Sequence, residues 1–211
     1  MKSSLKEIVD QLREFSTSEL CDGCEEYHTM DYHIQRQISD KKIVGPAYTV
    51  DVTKGVSGLV ADALLAAEQG YVLVVAGKEC CGSAYWGDHR SLCASMKGLE
   101  AVIIDGAFRD LEGCKEIGFP IFARNVTPGS CKKQAEGQLN VPIVCGGVHV
   151  DPDDLIIGDS NGVLVIKPEE ALSVMEKAKK KIMAQEYTEK KMKETNEILP
   201  RMLKGPFETK N

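Results

Sequence analysis

The sequence predicts an α/β fold in one domain, on three observations. Short, almost uniformly apolar runs, YVLVVAG at 71–77, AVIID at 101–105 and PIFAR at 120–124, alternate with stretches of helical pattern, which indicates parallel strands joined by helices. Runs apolar at nearly every position are expected of strands covered on both faces. After residue 141 the pattern changes: PIVCGGVHV, DDLIIGD and GVLVI are strands separated by Gly, Pro, Asp and Asn turns with no room for helices, which predicts a β-meander or small barrel.

Each element has its own signal. Leu5, Ile8, Val9, Leu12 and Phe15 share one face of a surface helix over 5–15. Thr17 and Ser18 are candidate caps for a short helix over 19–26. A strand is expected over 42–52, with Gly45 and Pro46 marking a bulge or a loop entering it. GLVADALLAAEQ at 58–69 reads as a helix stopped by Gly70, and further helices are expected over 91–97 and 111–117. A long charged helix over 168–199 opens at Pro168 with Glu169 and Glu170 in its first turn. Its sparse apolar positions suit docking on a neighbouring subunit or lying across the surface.

A chain of 211 residues with 43% hydrophobic and 27% charged residues buries a globular core as a single domain spanning 1–211. The net charge of -6 argues against nucleic acid and against an anionic membrane surface as partners. No apolar run reaches bilayer length, and the first residues lack the apolar region of an export signal, so a cytoplasmic protein is expected. The eight cysteines then read as reduced thiols, with Cys93, Cys114 and Cys145 acting as small hydrophobes.

The chemistry concentrates between Gly77 and Gly113. In open α/β sheets ligands bind at the carboxyl ends of the strands. Residues 77–88 are expected to form a glycine-rich loop after one buried strand, and Asp105, Arg109 and Asp110 to follow the next. Arg109 offers a planar guanidinium for a carboxylate, and Asp110 a hard oxygen ligand for Mg²⁺ or Mn²⁺. Asp88 completes such a metal shell through water, and the set suits stabilisation of an enolate. An adjacent Arg and Asp taken alone is more often a surface ion pair or a helix cap.

GPAYTV, GYVLVVAG, WGD, GLEAVIIDGAFRD, PIFAR with its following TPG, and GGVHVDPDDLIIGDSNGVLVI occur in the order found in RraA-like proteins. The chain resembles that superfamily, which includes the 4-hydroxy-4-methyl-2-oxoglutarate/4-carboxy-4-hydroxy-2-oxoadipate aldolases, closely over residues 40–168 and loosely in the end helices. The resemblance implies one α/β/β domain of the swivelling β/β/α type, with N- and C-terminal helices, assembled as a homotrimer or homohexamer with active sites between subunits. It also implies a lyase that forms pyruvate from a 4-hydroxy-2-oxo acid, with oxaloacetate decarboxylase activity. The catalytic signature, an Asp, twenty intervening residues and an Arg-Asp pair, matches Asp88, Arg109 and Asp110. Non-catalytic members, which inhibit a ribonuclease, replace that Asp by Gly and carry an acid where this chain has Gly113.

By the same resemblance Asp110 binds Mg²⁺ or Mn²⁺ directly and Asp88 through water. Arg109 and the backbone around Gly87, Asp88, His89 and Arg90 hold the 2-oxo acid. A Glu of the neighbouring subunit's C-terminal helix, Glu186 or Glu189, adds to the site. His89 and Arg90 stand where the family often has Leu-Leu, and the extra Arg suits a more anionic substrate.

Other groups invite alternatives. Cys21 and Cys24 with His28 and His33 imitate a zinc site but occupy an ordinary family helix. Cys80 and Cys81 read as small packing residues rather than reactive thiols, His149 as structural rather than a base, and residues 177–181 as a solvated basic helix face.

Overall fold

A computed structural model describes residues 3–203. Its centre is a run of three parallel strands: β4 (Val72–Trp86), β5 (Ala101–Phe108) and β6 (Ile121–Val126). The long strand β3 (Ile43–Val52) pairs in parallel with β4, and β2 (Gln35–Ile38) closes the far edge against β6. On its other edge β3 pairs with β10 (Leu155–Asp159) through residues 43–46 and with β7 (Gly137–Leu139) through residues 50–52. β11 (Gly162–Ile166) and β1 (His28–Thr29) continue the sheet beyond β10.

Period-two alternation sends the central strands' side chains to two cores. Leu73, Val75, Val102, Ile104 and Ile121 face three helices, α3 (Gly58–Ala66), α4 (Asp88–Lys97) and α5 (Leu111–Ile117). Val72, Val74, Ile103 and Phe122 face a second β layer, formed by the hairpin β8 (Ile143–Cys145)–β9 (Val148–Val150) and by β10 and β11. The result is the expected α/β/β layering. A third core covers the outer face of β10 and β11 with α1 (Ser3–Leu12), α2 (Thr17–Gly23) and α6 (Ala171–Thr195).

Several expectations are corrected. The β-rich segment after residue 141 is neither a free meander nor a barrel: β10–β11 extends the main sheet through β3, and β8–β9 lies across the opposite face. Gly45 and Pro46 make no bulge, because both hold regular register with Ile156 and Leu155. Glycine is required at 45 by close packing, since a Cβ there would sit 2.4 Å from the Gly70 carbonyl oxygen. Residues 77–86 are not a loop but the far half of β4, which stays paired to β5 with register shifts and left-handed backbone at Lys78 and Glu79. The cap of α2 is Ser16, in a capping box with Glu19. Thr17 is instead buried, donating to Asp159 from its amide at 2.8 Å and its hydroxyl at 2.7 Å.

The charged helix, expected to dock on a neighbouring subunit or to lie across the surface, buries Ala171, Val174, Met175 and Ala178 at its start on its own domain. The basic run contributes to this docking: Lys177 pairs with Glu25 at 2.8 Å and Lys181 with Asp22 at 3.2 Å. Cys21 and Cys24 pack beneath α6, and burial pushes the Cys21 thiol up to about 11, opposite to the shift a metal thiolate needs. His149 is exposed and paired with Asp151 at 3.0 Å.

Asp105 lies inside β5, not after it, and is buried. It binds the Arg124 guanidinium and accepts from the Gly146 amide at 3.1 Å, and Arg124 reaches Asp31 at 3.0 Å. This network ties the β8–β9 hairpin to the central strands. Arg124→Met leaves the Asp105 charge buried without its partner and is expected to destabilise by about 3–5 kcal/mol, read as a lowered midpoint in chemical denaturation.

The His33 amide and ring, backed by Arg124, hold the Asp31 carboxyl at about 2 against an ordinary 3.8. Its folded pKa is depressed, so its contribution is complete above 3.8 and is lost as pH falls through about 2. Asp31→Asn should therefore flatten the fall in thermal stability between those pH values, in melting curves recorded from pH 5 downward.

Candidate active site

Parallel pairing builds the site. β4 and β5 end in register, Trp86 opposite Phe108, and the Arg109 amide donates to the Trp86 carbonyl at 3.0 Å. The residues that follow each strand, Gly87-Asp88 and Arg109-Asp110, are therefore brought side by side. The twenty residues between Asp88 and Arg109 are the rest of α4, a turn at Gly98 and strand β5, so the spacing read in the sequence is the length of one crossover.

Both acids open helices. Asp88 is in the first turn of α4, where the helix dipole favours a carboxylate, and its Oδ1 accepts from the His89 amide at 2.6 Å. Asp110 caps α5 in the left-handed region, φ 57°, which aspartate tolerates better than most residues. Two glycines make room for these carboxylates. A Cβ at Gly87 would lie 2.5 Å from Asp110 Oδ2, and one at Gly113 would lie 2.8 Å from Asp88 Oδ2.

Arg109 is held between Asp110 Oδ2, 3.0 Å from its Nε, and the Ser130 hydroxyl, which accepts from Nη1 at 2.6 Å. Trp86 fixes the floor: its Nε1 donates to Ser91 Oγ at 2.8 Å, and Ser91 donates to the Gly87 carbonyl at 3.1 Å. Trp86, Asp88, Arg109, Asp110 and Ser130 line a cavity of about 500 Å³ together with Ala61, Leu64 and Leu65 of α3, Gly87, His89, Arg90, Cys93, Cys131 and Lys133.

The predicted residues Gly87, Asp88, His89, Arg90, Arg109 and Asp110 thus share one cavity. Arg90 reaches beneath it, donating to the Tyr85 and Ser57 carbonyls. Glu186 and Glu189 lie elsewhere in this chain, in a surface groove of α6 with Lys190, Lys193 and Glu194. Cys80 packs against the helix-side core, and burial raises the Cys81 thiol above its ordinary value. Burial also pushes the cavity thiol Cys131 up to about 11, which keeps it protonated at neutral pH. Among the described residues no three His, Cys, Asp or Glu side chains converge on a metal position.

Sequence reasoning missed Ser130, Lys133 and the α3 wall. Residues 127–133 follow β6, so the strand-end rule that found Arg109 applies equally to them.

Fold and site together define an α/β/β protein with a carboxylate and guanidinium cluster at the carboxyl ends of parallel strands. The Aldolase/RraA model of the RraA-like family matches residues 17–165. A Halalkalibacterium halodurans protein with the provisional name 4-hydroxy-4-methyl-2-oxoglutarate aldolase is 37% identical over 83% of each chain. The chain belongs to the RraA-like family.

Two solved structures carry other names. One, described as an S-adenosylmethionine:2-dimethylmenaquinone methyltransferase from Geobacillus kaustophilus, is 32% identical with TM-score 0.68, covering 72% of this chain and 95% of its own. The other, the RNA-processing inhibitor RraA of a Thermus species, is 27% identical with TM-score 0.68, covering 72% and 93%. Names this different on one fold leave function to be argued from the site.

Proposed function

We propose that the protein is a divalent-metal-dependent lyase that cleaves a 4-hydroxy-2-oxo acid to pyruvate, with oxaloacetate decarboxylation as a second reaction of the same site. The meeting of Asp88, Arg109 and Asp110 at one cavity carries this reading. The two carboxylates offer hard oxygen ligands, which suit Mg²⁺ or Mn²⁺, ions that keep several waters and take few protein ligands. Asp110 would hold such an ion directly and Asp88 through water. The space each carboxylate occupies is kept open by a glycine, Gly87 for Asp110 and Gly113 for Asp88.

When bound, such an ion supplies Lewis acidity at the 2-oxo group. The chain supplies the rest. Arg109, oriented by Asp110 and Ser130, has N–H groups left to bind the substrate carboxylate. In aldol cleavage the 4-hydroxyl gives its proton to cavity water, C4 becomes the carbonyl of the departing fragment as the C3–C4 bond breaks, and the electron pair passes toward the 2-oxo oxygen as an enolate, which a solvent proton at C3 converts to pyruvate. A guanidinium already in place there stabilises that charge without reorganising. The backbone amides of Asp88 and Arg90 open α4 toward the same ligand, the His89 amide being taken by Asp88 Oδ1, and Leu64 and Trp86 give the cavity an apolar wall.

A homotrimer or homohexamer belongs to this reading. Leu65 of the cavity wall is exposed, as are Leu92 and Met96 of α4, and covering them with a second copy offers a route for that copy's Glu186 or Glu189 to reach the site. No helix among the described residues is long and apolar enough to cross a membrane.

The test is pyruvate formation from oxaloacetate or a 4-hydroxy-2-oxo acid by EDTA-stripped protein, before and after Mg²⁺ or Mn²⁺ is restored. Activity that returns with the metal supports the lyase. Pyruvate no faster than the protein-free background under either condition leaves the ribonuclease-binding regulator as the better account.

A further inference from the structure

The backbone ladder stops short of the two acids. β4 and β5 make their last pairing at Trp86 and Phe108, and the Arg109 amide donates to the Trp86 carbonyl at 3.0 Å. Asp88 and Asp110 each follow that pairing by two residues, so the ladder does not set the distance between them. A single attachment leaves the two turns free to pivot about it.

A second attachment is made by side chains beneath the turns. Ser91 of α4 and Cys114 of α5 are both fully buried, and their Oγ and Sγ lie 3.7 Å apart. Ser91 accepts from Trp86 Nε1 at 2.8 Å and donates to the Gly87 carbonyl at 3.1 Å. Cys114 Sγ donates to the Arg109 carbonyl at 3.4 Å. Each side chain has one hydrogen to give, and each gives it to the carbonyl just before an acid, Gly87 before Asp88 and Arg109 before Asp110. The peptide units that carry the two acids are thus joined through Ser91 and Cys114. The Cys114 thiol is then more than the small hydrophobe its surroundings suggest. The turns also approach closely, since a Cβ at Gly113 would lie 2.8 Å from Asp88 Oδ2, so a small shift of α5 against α4 moves one acid relative to the other.

Resting on the metal reading above, we infer that Ser91 and Cys114 are positioning residues that set the separation of the Asp88 and Asp110 carboxylates, and with it the affinity of the site for a divalent cation. Neither side chain lines the cavity, so both act through the backbone of the acids.

The test titrates metal-stripped protein with Mn²⁺, reading the free ion by electron paramagnetic resonance, beside a melting curve. Ser91→Ala and Cys114→Ala should each weaken Mn²⁺ binding about tenfold, the size of an outer-shell loss at a metal site. Because the two form one bridge, the double variant should bind at most about threefold more weakly than the weaker single variant. Cys114→Ser, which keeps a donor for the Arg109 carbonyl, should recover most of the loss. A purely structural role would lower the melting temperature and leave Mn²⁺ affinity unchanged. Folded single variants that bind Mn²⁺ within about threefold of wild type overturn the inference, and so do losses that multiply in the double variant. Should one alanine variant not fold, the other decides. Wild type that binds no Mn²⁺ removes the metal reading itself, and this inference with it.

Discussion

Asp110→Asn is expected to lower metal-dependent pyruvate formation by about 10³-fold, the equivalent of about 4 kcal/mol of transition-state stabilisation. Asparagine keeps the size of the side chain and tolerates the left-handed backbone at φ 57°, so the start of α5 survives. The lost ion pair to Arg109 is half-exposed, which limits its share of folding stability to about 1 kcal/mol or less. Steady-state kinetics with saturating Mn²⁺, beside a melting curve, separates the two effects. A folded variant with full metal-dependent activity would remove Asp110 from the centre of the mechanism.

Gly113→Glu is expected to cost about 10²-fold in the same assay, acting only through Asp88. Position 113 is in the first turn of α5, and a Cβ there would lie 2.8 Å from Asp88 Oδ2 and 2.9 Å from Asp88 Cβ. Glutamate adds a second negative charge to that collision. The acid at 88 and a side chain at 113 therefore compete for one space. If this is the only route, Asp88→Ala and the Asp88→Ala/Gly113→Glu double variant should have equal activity, a non-additivity that a double-mutant cycle measures. Two independent losses would contradict it.

The sequence carried the parts of this site that depend on strand ends. YVLVVAG and AVIID are uniformly apolar because β4 and β5 are covered by helices on one face and by β8–β11 on the other. Asp88, Arg109 and Asp110 follow from their register. What stayed hidden depends on pairing between distant segments. KECCGSAYW has the glycine and cysteine content of a loop, yet it runs on as β4 because Ala84 and Trp86 still pair with β5. GVLVI and LIIGD are legible as strands, but their attachment to β3 through Gly45 and Pro46 leaves no local mark. The docking of α6 rests on only a few apolar residues near its start, too few to stand out in a helix otherwise rich in Lys and Glu. Arg90 was visible as an extra cation, but its fixed contacts to the Ser57 and Tyr85 carbonyls arise only in three dimensions.

The most direct measurement is anomalous diffraction from crystals grown with Mn²⁺ and pyruvate. A manganese peak is expected at direct-ligand distance, roughly 2.0–2.3 Å, from an Asp110 carboxylate oxygen, with Asp88 one water further out and Arg109 on the pyruvate. Manganese bound away from Asp110, or pyruvate lodged without contact to Arg109, would contradict it.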